Sequence, residues 1–187
     1  MERGTTLFRI HRAERDPWWF SNSGGGRFDL TVKAGAPTEL GTCYLGREPI
    51  GCFVEVFRGV EVLQKEVDAR RISSLSLPSG VHLADCTAPR SRELGITAEI
   101  HSSPDYAMTQ AWAAAFLRAG FDGIHYLLRH NPAQRSIGIA LFGPAGSPAG
   151  YPLPVSEPIG LDLLRTVARR FGVRLLLTPT PPAPPPE

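Results

Sequence analysis

The sequence predicts an α+β domain: a compact mixed sheet with flanking helices. Three observations lead there. Short apolar and alternating segments, the signature of strands, recur along the whole chain. Helical stretches interrupt them without the regular spacing of repeated β–α–β units. The 187 residues are 42% hydrophobic and 20% charged, enough for one domain with a real core.

The elements follow in chain order. Thr6–His11 (TLFRIH) alternates as a short strand, with Leu7 and Arg9 on one side and Phe8 and Ile10 on the other. Trp18 and Trp19 read as packing residues beneath it. Asn22–Phe28 (NSGGGRF) is a glycine-rich loop that ends in Arg27 and Phe28. Gly41–Gly46 (GTCYLG) is a strand between turn residues. Arg47–Gly59 (REPIGCFVEVFRG) is a helix with Pro49 in its first turn.

On that helix Ile50, Phe53, Val54 and Phe57 form the core-facing stripe. Glu55 lies off it, so it is not a costly buried charge. Its helical neighbours Gly51, Cys52 and Gly59 are small, which predicts open space beside it. Periodicity alone makes Glu55 a solvated acid paired with Arg58.

Val60–Ile72 is charged and fits neither period. Arg71–Leu77 and Gly80–Thr87 read as strands. The clearest helix runs through Ser102–Gly120, with Ser103 as cap, Pro104 in the first turn and Gly120 as stop. Phe121–Leu128 and Arg135–Gly143 read as strands paired through the loop at 129–134. A Pro/Gly-rich connector (143–154) leads to a second helix, with Ser156 as cap, Gly172 as stop and an apolar stripe of Leu161, Leu164, Ala168 and Phe171. Val173–Leu177 is a final strand. The reading is one domain over 1–178, its core at about 6–146 and its C-terminal helix and strand at 156–177. A disordered proline-rich tail follows at 179–187.

Composition narrows the function classes. A net charge of +2 is too small to indicate direct nucleic-acid binding. No apolar run reaches the roughly 18 residues of a membrane span, and the N-terminus lacks an apolar signal region. Cys43, Cys52 and Cys86 are odd in number and lack metal-type spacing. His11, His82, His101, His125 and His130 form no metal motif either. The expectation is a soluble cytoplasmic protein without a metal or membrane contact.

The chemistry-bearing residues appear in a fixed order: Arg9 in LFRI, Arg27 in GGGRF, Tyr44 in CYLG, Glu55 in FVEVF. Then come GITAE, the helix that contains Tyr106, and FDGIHYLLRHNP followed by GIALFG. This ordered set resembles the RES domain, the toxin component of bacterial toxin–antitoxin pairs, over about residues 6–146. The resemblance implies a fold similar to the catalytic domain of ADP-ribosyltransferases. It also implies cleavage of NAD between nicotinamide and ribose, with water or phosphate as acceptor. A partner antitoxin, often of Xre type, and a homodimer are implied as well. NAD is then a substrate, and no cofactor is called for.

The residue chemistry agrees. Arg9 and Arg27 suit the pyrophosphate, because a guanidinium donates in pairs and stays charged. Glycines such as Gly26 let backbone N–H groups approach phosphate. Tyr44 suits stacking on the nicotinamide or ribose, with its hydroxyl on a polar atom. Bond cleavage at the ribosyl carbon develops positive charge, which the Glu55 carboxylate stabilises.

One position departs from the family pattern. The family serine follows the DGI-x-Y strand, where this chain has Leu128. Three readings stay open: Ser136 supplies a hydroxyl from the adjacent strand, Arg129 or His130 contacts the ligand, or activity is reduced or absent. Three functions accordingly remain: NAD degradation, ADP-ribosyl transfer to a macromolecule, and a nucleotide- or partner-binding module without catalysis.

Overall fold

A computed structural model describes residues 1–176; the expected tail at 179–187 lies outside the described residues. The strands are β1 (Thr6–Arg12), β2 (Leu40–Gly46), β3 (Glu61–Leu63), β4 (Arg70–Ser76), β5 (Leu83–Asp85), β6 (Gly123–Leu127), β7 (Ile137–Pro144), β8 (Val155–Pro158) and β9 (Arg174–Leu176). The helices are α1 (Pro49–Phe57), α2 (Gln64–Asp68), α3 (Glu99–Ser102), α4 (Tyr106–Arg118) and α5 (Leu161–Phe171). The sheet has the order β5-β6-β7-β2-β1-β4-β8, and β3 pairs with β9 apart from it. Only β5–β6 is parallel in the large sheet, so the fold is α+β.

The sheet is not uniformly zipped. β1 pairs with β4 along its whole length, and β2 does so with β7. Between β1 and β2 the only register pair is Phe8↔Gly46. The strands therefore diverge from that point and leave a gap in the middle of the sheet, where a cavity opens.

Three apolar clusters hold the layers. Leu7, Trp18, Phe20, Cys43, Leu45, Leu75 and Ile139 fill one face, and Trp18 is a packing residue there, only 2% exposed. On the opposite face Ile10, Phe53, Val62, Leu164 and Val167 tie β1, α1, α5 and the β3–β9 pair together. Phe28, Ile100, Ala113, Ile124, Tyr126 and Ala140 pack α4 against β6 and β7. Each fully buried Phe, Leu or Ile contributes about 1.5–3 kcal/mol of transfer free energy.

α1 follows its predicted stripe: Ile50, Phe53 and Val54 are buried, with Pro49 in the first turn. The small residue Gly51 has a different use from the one the sequence suggests. A Cβ there would lie 3.0 Å from Leu128 and 3.2 Å from Ser136. It lets α1 close onto the β6–β7 connection, while the open space lies on the Cys52 side.

Two helix starts differ from the sequence reading. Asp105, not Ser103, caps α4: its carboxylate accepts from the Ala107 N–H at 2.9 Å. Pro104 disfavours helical geometry at Ser103, so the helix begins after the turn, and the Ser103 hydroxyl accepts from the Asp105 N–H instead. Ser156 caps nothing. It lies in β8, paired with Ser73 of β4, and the two hydroxyls are 2.5 Å apart. Pairing with the sheet edge claims the segment, and α5 starts only after Gly160. Gly172 ends α5 in a left-handed cap, and the ambiguous stretch after Val60 resolves into β3, α2 and β4.

Candidate active site

Glu55 stands where two chambers meet. The first, about 230 Å³, sits in the β1–β2 gap and is lined by Arg9, Tyr44, Gly46, Cys52, Tyr126 and Leu128 among others. The second, about 310 Å³, is lined by Gly25, Gly26, Arg27, Arg58, Tyr106 and Tyr126 among others. Tyr44, Glu55, Val56 and Tyr126 belong to both walls. Residues from β1, the glycine loop, β2 and α1, distant in sequence, thus converge on one cleft.

Each side chain is set by its local structure. Arg9 is anchored through Nη1, which donates to the carbonyls of Pro17 at 2.7 Å and Trp19 at 2.9 Å. The same nitrogen lies 3.1 Å from Cys43 Sγ. Arg27 is only 7% exposed; its Nη1 donates to the Ser103 carbonyl at 2.8 Å, and its guanidinium lies over the Tyr106 ring at 5.2 Å. Burial, then the nearby Arg129 cation, pull its pKa below the ordinary arginine value. An arginine stays charged regardless, so the second chamber has a fixed positive wall.

Tyr44 presents its ring to both chambers, but its hydroxyl is engaged. It donates to Asp29 Oδ1 at 2.8 Å and accepts from the Phe28 N–H at 2.8 Å. Burial and the Asp29 carboxylate raise its pKa well above the usual phenol value. The expected hydroxyl contact with a ligand is therefore not free; stacking remains.

The glycine loop differs from expectation in the same way. The Gly26 N–H donates to Asp29 Oδ2 at 3.0 Å and the Gly25 N–H reaches Ser23 Oγ at 3.3 Å, so neither points at open space. Gln110 of α4 holds the loop by donating to the carbonyls of Gly24 and Gly26, both at 2.9 Å. Gly26 is obligatory for another reason: a Cβ there would collide with the Asp29 carboxylate and the Tyr44 hydroxyl.

Glu55 does not pair with Arg58, which reaches only its backbone carbonyl, at 3.4 Å. Its carboxylate Oε2 meets His130 Nδ1 at 3.1 Å. The Glu55 side chain is 30% exposed and that of His130 18%. His130 faces Glu55 and lines neither chamber. Ser136 also lies outside both; it is 4% exposed and accepts from Asn131 Nδ2 at 2.8 Å. Leu128, by contrast, is in the wall of the first chamber. The position without a hydroxyl is thus at the cleft, and Ser136 is behind it.

Tyr126 is the residue that sequence reading passed over. It belongs to both walls, with its ring edge-on to Phe28 at 4.8 Å. Gly138 makes room for it, since a Cβ there would sit 2.5 Å from the ring. Burial, and next the Glu55 carboxylate, push its pKa upward, so its phenol stays protonated in the cleft wall. The available signal was strand periodicity, which puts Tyr126 on the same face as Leu128. Asp29, fully buried, was missed as well; an acid inside RFDL is the same kind of anomaly as Glu55.

Among the described residues, no cluster of three His, Cys, Asp or Glu side chains is placed to hold a metal. No helix among them is long and apolar enough to cross a membrane. Cys52 borders the first chamber, with its thiol pushed up to about 12 by burial, which makes it a poor nucleophile.

Comparison with known proteins adds three findings. A family model described as RES domain matches residues 6–159. No curated protein matches the sequence. A chain from the crystal structure of the M. tuberculosis MbcT–MbcA toxin–antitoxin complex is similar in fold, with a TM-score of 0.57 and 22% identity. The similarity covers 76% of this chain and 75% of that one.

Proposed function

The chain belongs to the RES domain family, and on that premise we propose that it degrades NAD by cleaving the bond between nicotinamide and ribose. The observation that carries this reading is the position of Glu55 at the junction of two chambers, with arginines on both sides. A dinucleotide has that shape: a flat cationic ring and ribose at one end and a dianionic pyrophosphate beyond.

In this reading the pyrophosphate lies across the junction, where Arg9 from one chamber and Arg27 from the other neutralise it, and Tyr44 and Tyr126 hold the nicotinamide–ribose end. The glycosidic bond breaks with its electron pair going to the nicotinamide nitrogen, which becomes neutral. The ribosyl carbon gains oxocarbenium character, and the Glu55 carboxylate stabilises it. An oxygen of water or phosphate then bonds to that carbon; water releases its proton to solvent and leaves ADP-ribose, whereas phosphate leaves the phosphorylated form. The low-dielectric walls of Val56 and Leu128 strengthen the interaction with Glu55. The similarity to a chain of a toxin–antitoxin complex supports a toxin role with an antitoxin as partner; a cytoplasmic location and an Xre-type antitoxin are proposed with it. A homodimer belongs to the same proposal.

A second reading has its own support. Leu128 leaves the cleft wall without the family hydroxyl, which favours a module that binds NAD and turns it over slowly or not at all. ADP-ribosyl transfer to a macromolecule would use the same cleft. Incubating the purified protein with NAD, with and without phosphate, separates these. Nicotinamide with ADP-ribose or its phosphorylated form, lost in Glu55→Gln, supports degradation. Label from NAD on a macromolecule supports transfer. Calorimetric binding without turnover supports the module.

A further inference from the structure

We propose that His130 is a positioning residue for Glu55 rather than a contact to substrate. The inference rests on the NAD-degrading reading above and assigns the residue a different task from ligand binding.

The geometry is specific. His130 Nδ1 lies 3.1 Å from Glu55 Oε2, and the His130 backbone N–H points to the same oxygen at 3.4 Å. A carboxylate only accepts, so Nδ1 carries the proton. On the other side of the ring, Arg129 Nη2 lies 3.5 Å from His130 Nε2. A guanidinium only donates, so Nε2 presents its lone pair. Both contacts fit the Nδ1–H tautomer of His130, which directs a ring N–H at Glu55.

The consequence for Glu55 is orientational. Both donors converge on Oε2, which leaves Oε1 as the oxygen free to face the ribosyl carbon. A glutamate at the end of three rotatable bonds, in the last turn of α1 and without a side-chain contact to Arg58, has little else to hold it. His130 comes from the connection between β6 and β7, two residues after Leu128. The connection is itself pinned, by Asn131 Nδ2 donating to Ser136 Oγ at 2.8 Å and by the Leu128 N–H donating to the Ser136 carbonyl at 2.9 Å. The buried Ser136 thus acts two steps away from the chemistry, by fixing the loop that fixes Glu55.

The test uses the length difference between asparagine and glutamine. Asparagine places an N–H where Nδ1 stands; glutamine places one where Nε2 stands. With NAD as substrate, His130→Ala should lower kcat on the order of ten- to a hundredfold through misplacement of Glu55, with KM little changed. His130→Asn should recover most of the loss, and His130→Gln should not. A rise in KM at constant kcat would overturn the proposal in favour of direct substrate contact. Equal behaviour of the two amides would overturn it too. Nitrogen chemical shifts of the His130 ring, measured above the histidine titration range, give a readout independent of turnover. The expected signature is an Nδ1–H tautomer that disappears in Glu55→Ala; an Nε2–H ring indifferent to that change refutes the pair. If the unsubstituted protein does not cleave NAD at all, the degrading reading fails and the positioning role falls with it, while the ring shifts still report whether the pair exists.

Discussion

Tyr44 donates its hydroxyl to the fully buried Asp29 at 2.8 Å, and this contact ties the candidate site to the stability of the fold. Asp29 also accepts from the Gly26 N–H at 3.0 Å and from the Ser23 hydroxyl at 3.4 Å. A buried carboxylate is tolerated only when its oxygens are satisfied. Tyr44→Phe removes one donor and also leaves the Phe28 N–H without its acceptor. The change should cost about 1–3 kcal/mol in urea unfolding. The aromatic wall stays, so NAD affinity should change much less than stability does.

Gly26→Ala tests the same knot from the loop side. The added methyl meets the Asp29 carboxylate and the Tyr44 hydroxyl at once. Neither can retreat without breaking the contacts just described. We expect a lower melting temperature and loss of NAD binding together, whereas Gly25→Ala, whose Cβ meets only Ser23 Oγ at 3.5 Å, should leave both nearly intact. Thermal melts and calorimetric titration of the two variants decide it.

Leu128→Ser restores the family hydroxyl to the cleft wall. It also empties a site where Leu128 is only 3% exposed, and large-to-small changes in such places cost roughly 2–5 kcal/mol. The expected result is a less stable protein with a higher kcat/KM for NAD at a temperature where it remains folded. A variant that stays folded and shows no gain would mean that the leucine wall is not what limits turnover. The Ser136 hydroxyl, which accepts from Asn131 Nδ2, lies outside the walls of both chambers.

Acid should weaken the fold before the carboxylates titrate. Burial is the largest influence on both His11 and His101, and it lowers each pKa below the ordinary 6.5. The unfolded chain then binds protons in a range where the native state does not. Stability is therefore complete above about pH 6.5 and is lost as pH falls from there through the native pKa values. Within that window each histidine contributes a slope of at most about 1.4 kcal/mol per pH unit. His11 Nε2 is 2.7 Å from Ser73 Oγ, a contact that His11→Gln retains without a titrating ring. Urea midpoints measured at neutral and mildly acidic pH should fall for the unsubstituted protein and fall less for this variant.

Much of the fold was legible because its signals are local. The α1 stripe, the antiparallel pairing of β6 with β7 and the Gly172 stop all follow from periodicity and backbone preference within a few residues. The helix starts at Ser103 and Ser156 were misread because a serine caps or pairs according to what lies beside it. Ser156 lies opposite Ser73, 83 residues away, and no local pattern announces that. The site divides in the same way. The order Arg9, Arg27, Tyr44, Glu55 survives in sequence, and these residues line two adjoining chambers, Arg9 in one and Arg27 in the other. Which of their atoms are already engaged depends on Asp29, Pro17, Ser103 and His130, which arrive from elsewhere in the chain. Tyr126 stayed hidden because a tyrosine in an apolar strand looks like core, and half of it is.

Arg58 shows conformational strain beside the same cleft. It caps α1 at φ 60° and ψ −32°, in the left-handed half of conformational space that disfavours any side chain with a Cβ. Glycine is the usual residue at such an exit from a helix, and Gly59 follows immediately. Arg58 nevertheless lines the second chamber with Arg27, and its side chain pairs with no carboxylate among the described residues. The guanidinium is thus held at the chamber mouth at a conformational cost and remains available for an anion. Arg58→Gly should stabilise the protein by about 1 kcal/mol, because glycine takes that backbone without the cost a Cβ carries there. The same change should raise KM for NAD roughly tenfold, the equivalent of one charge-assisted contact to phosphate. It should also flatten the salt dependence of binding. Denaturation and steady-state kinetics on one preparation test both halves; a gain in stability with no change in KM would make Arg58 strained without a part in binding.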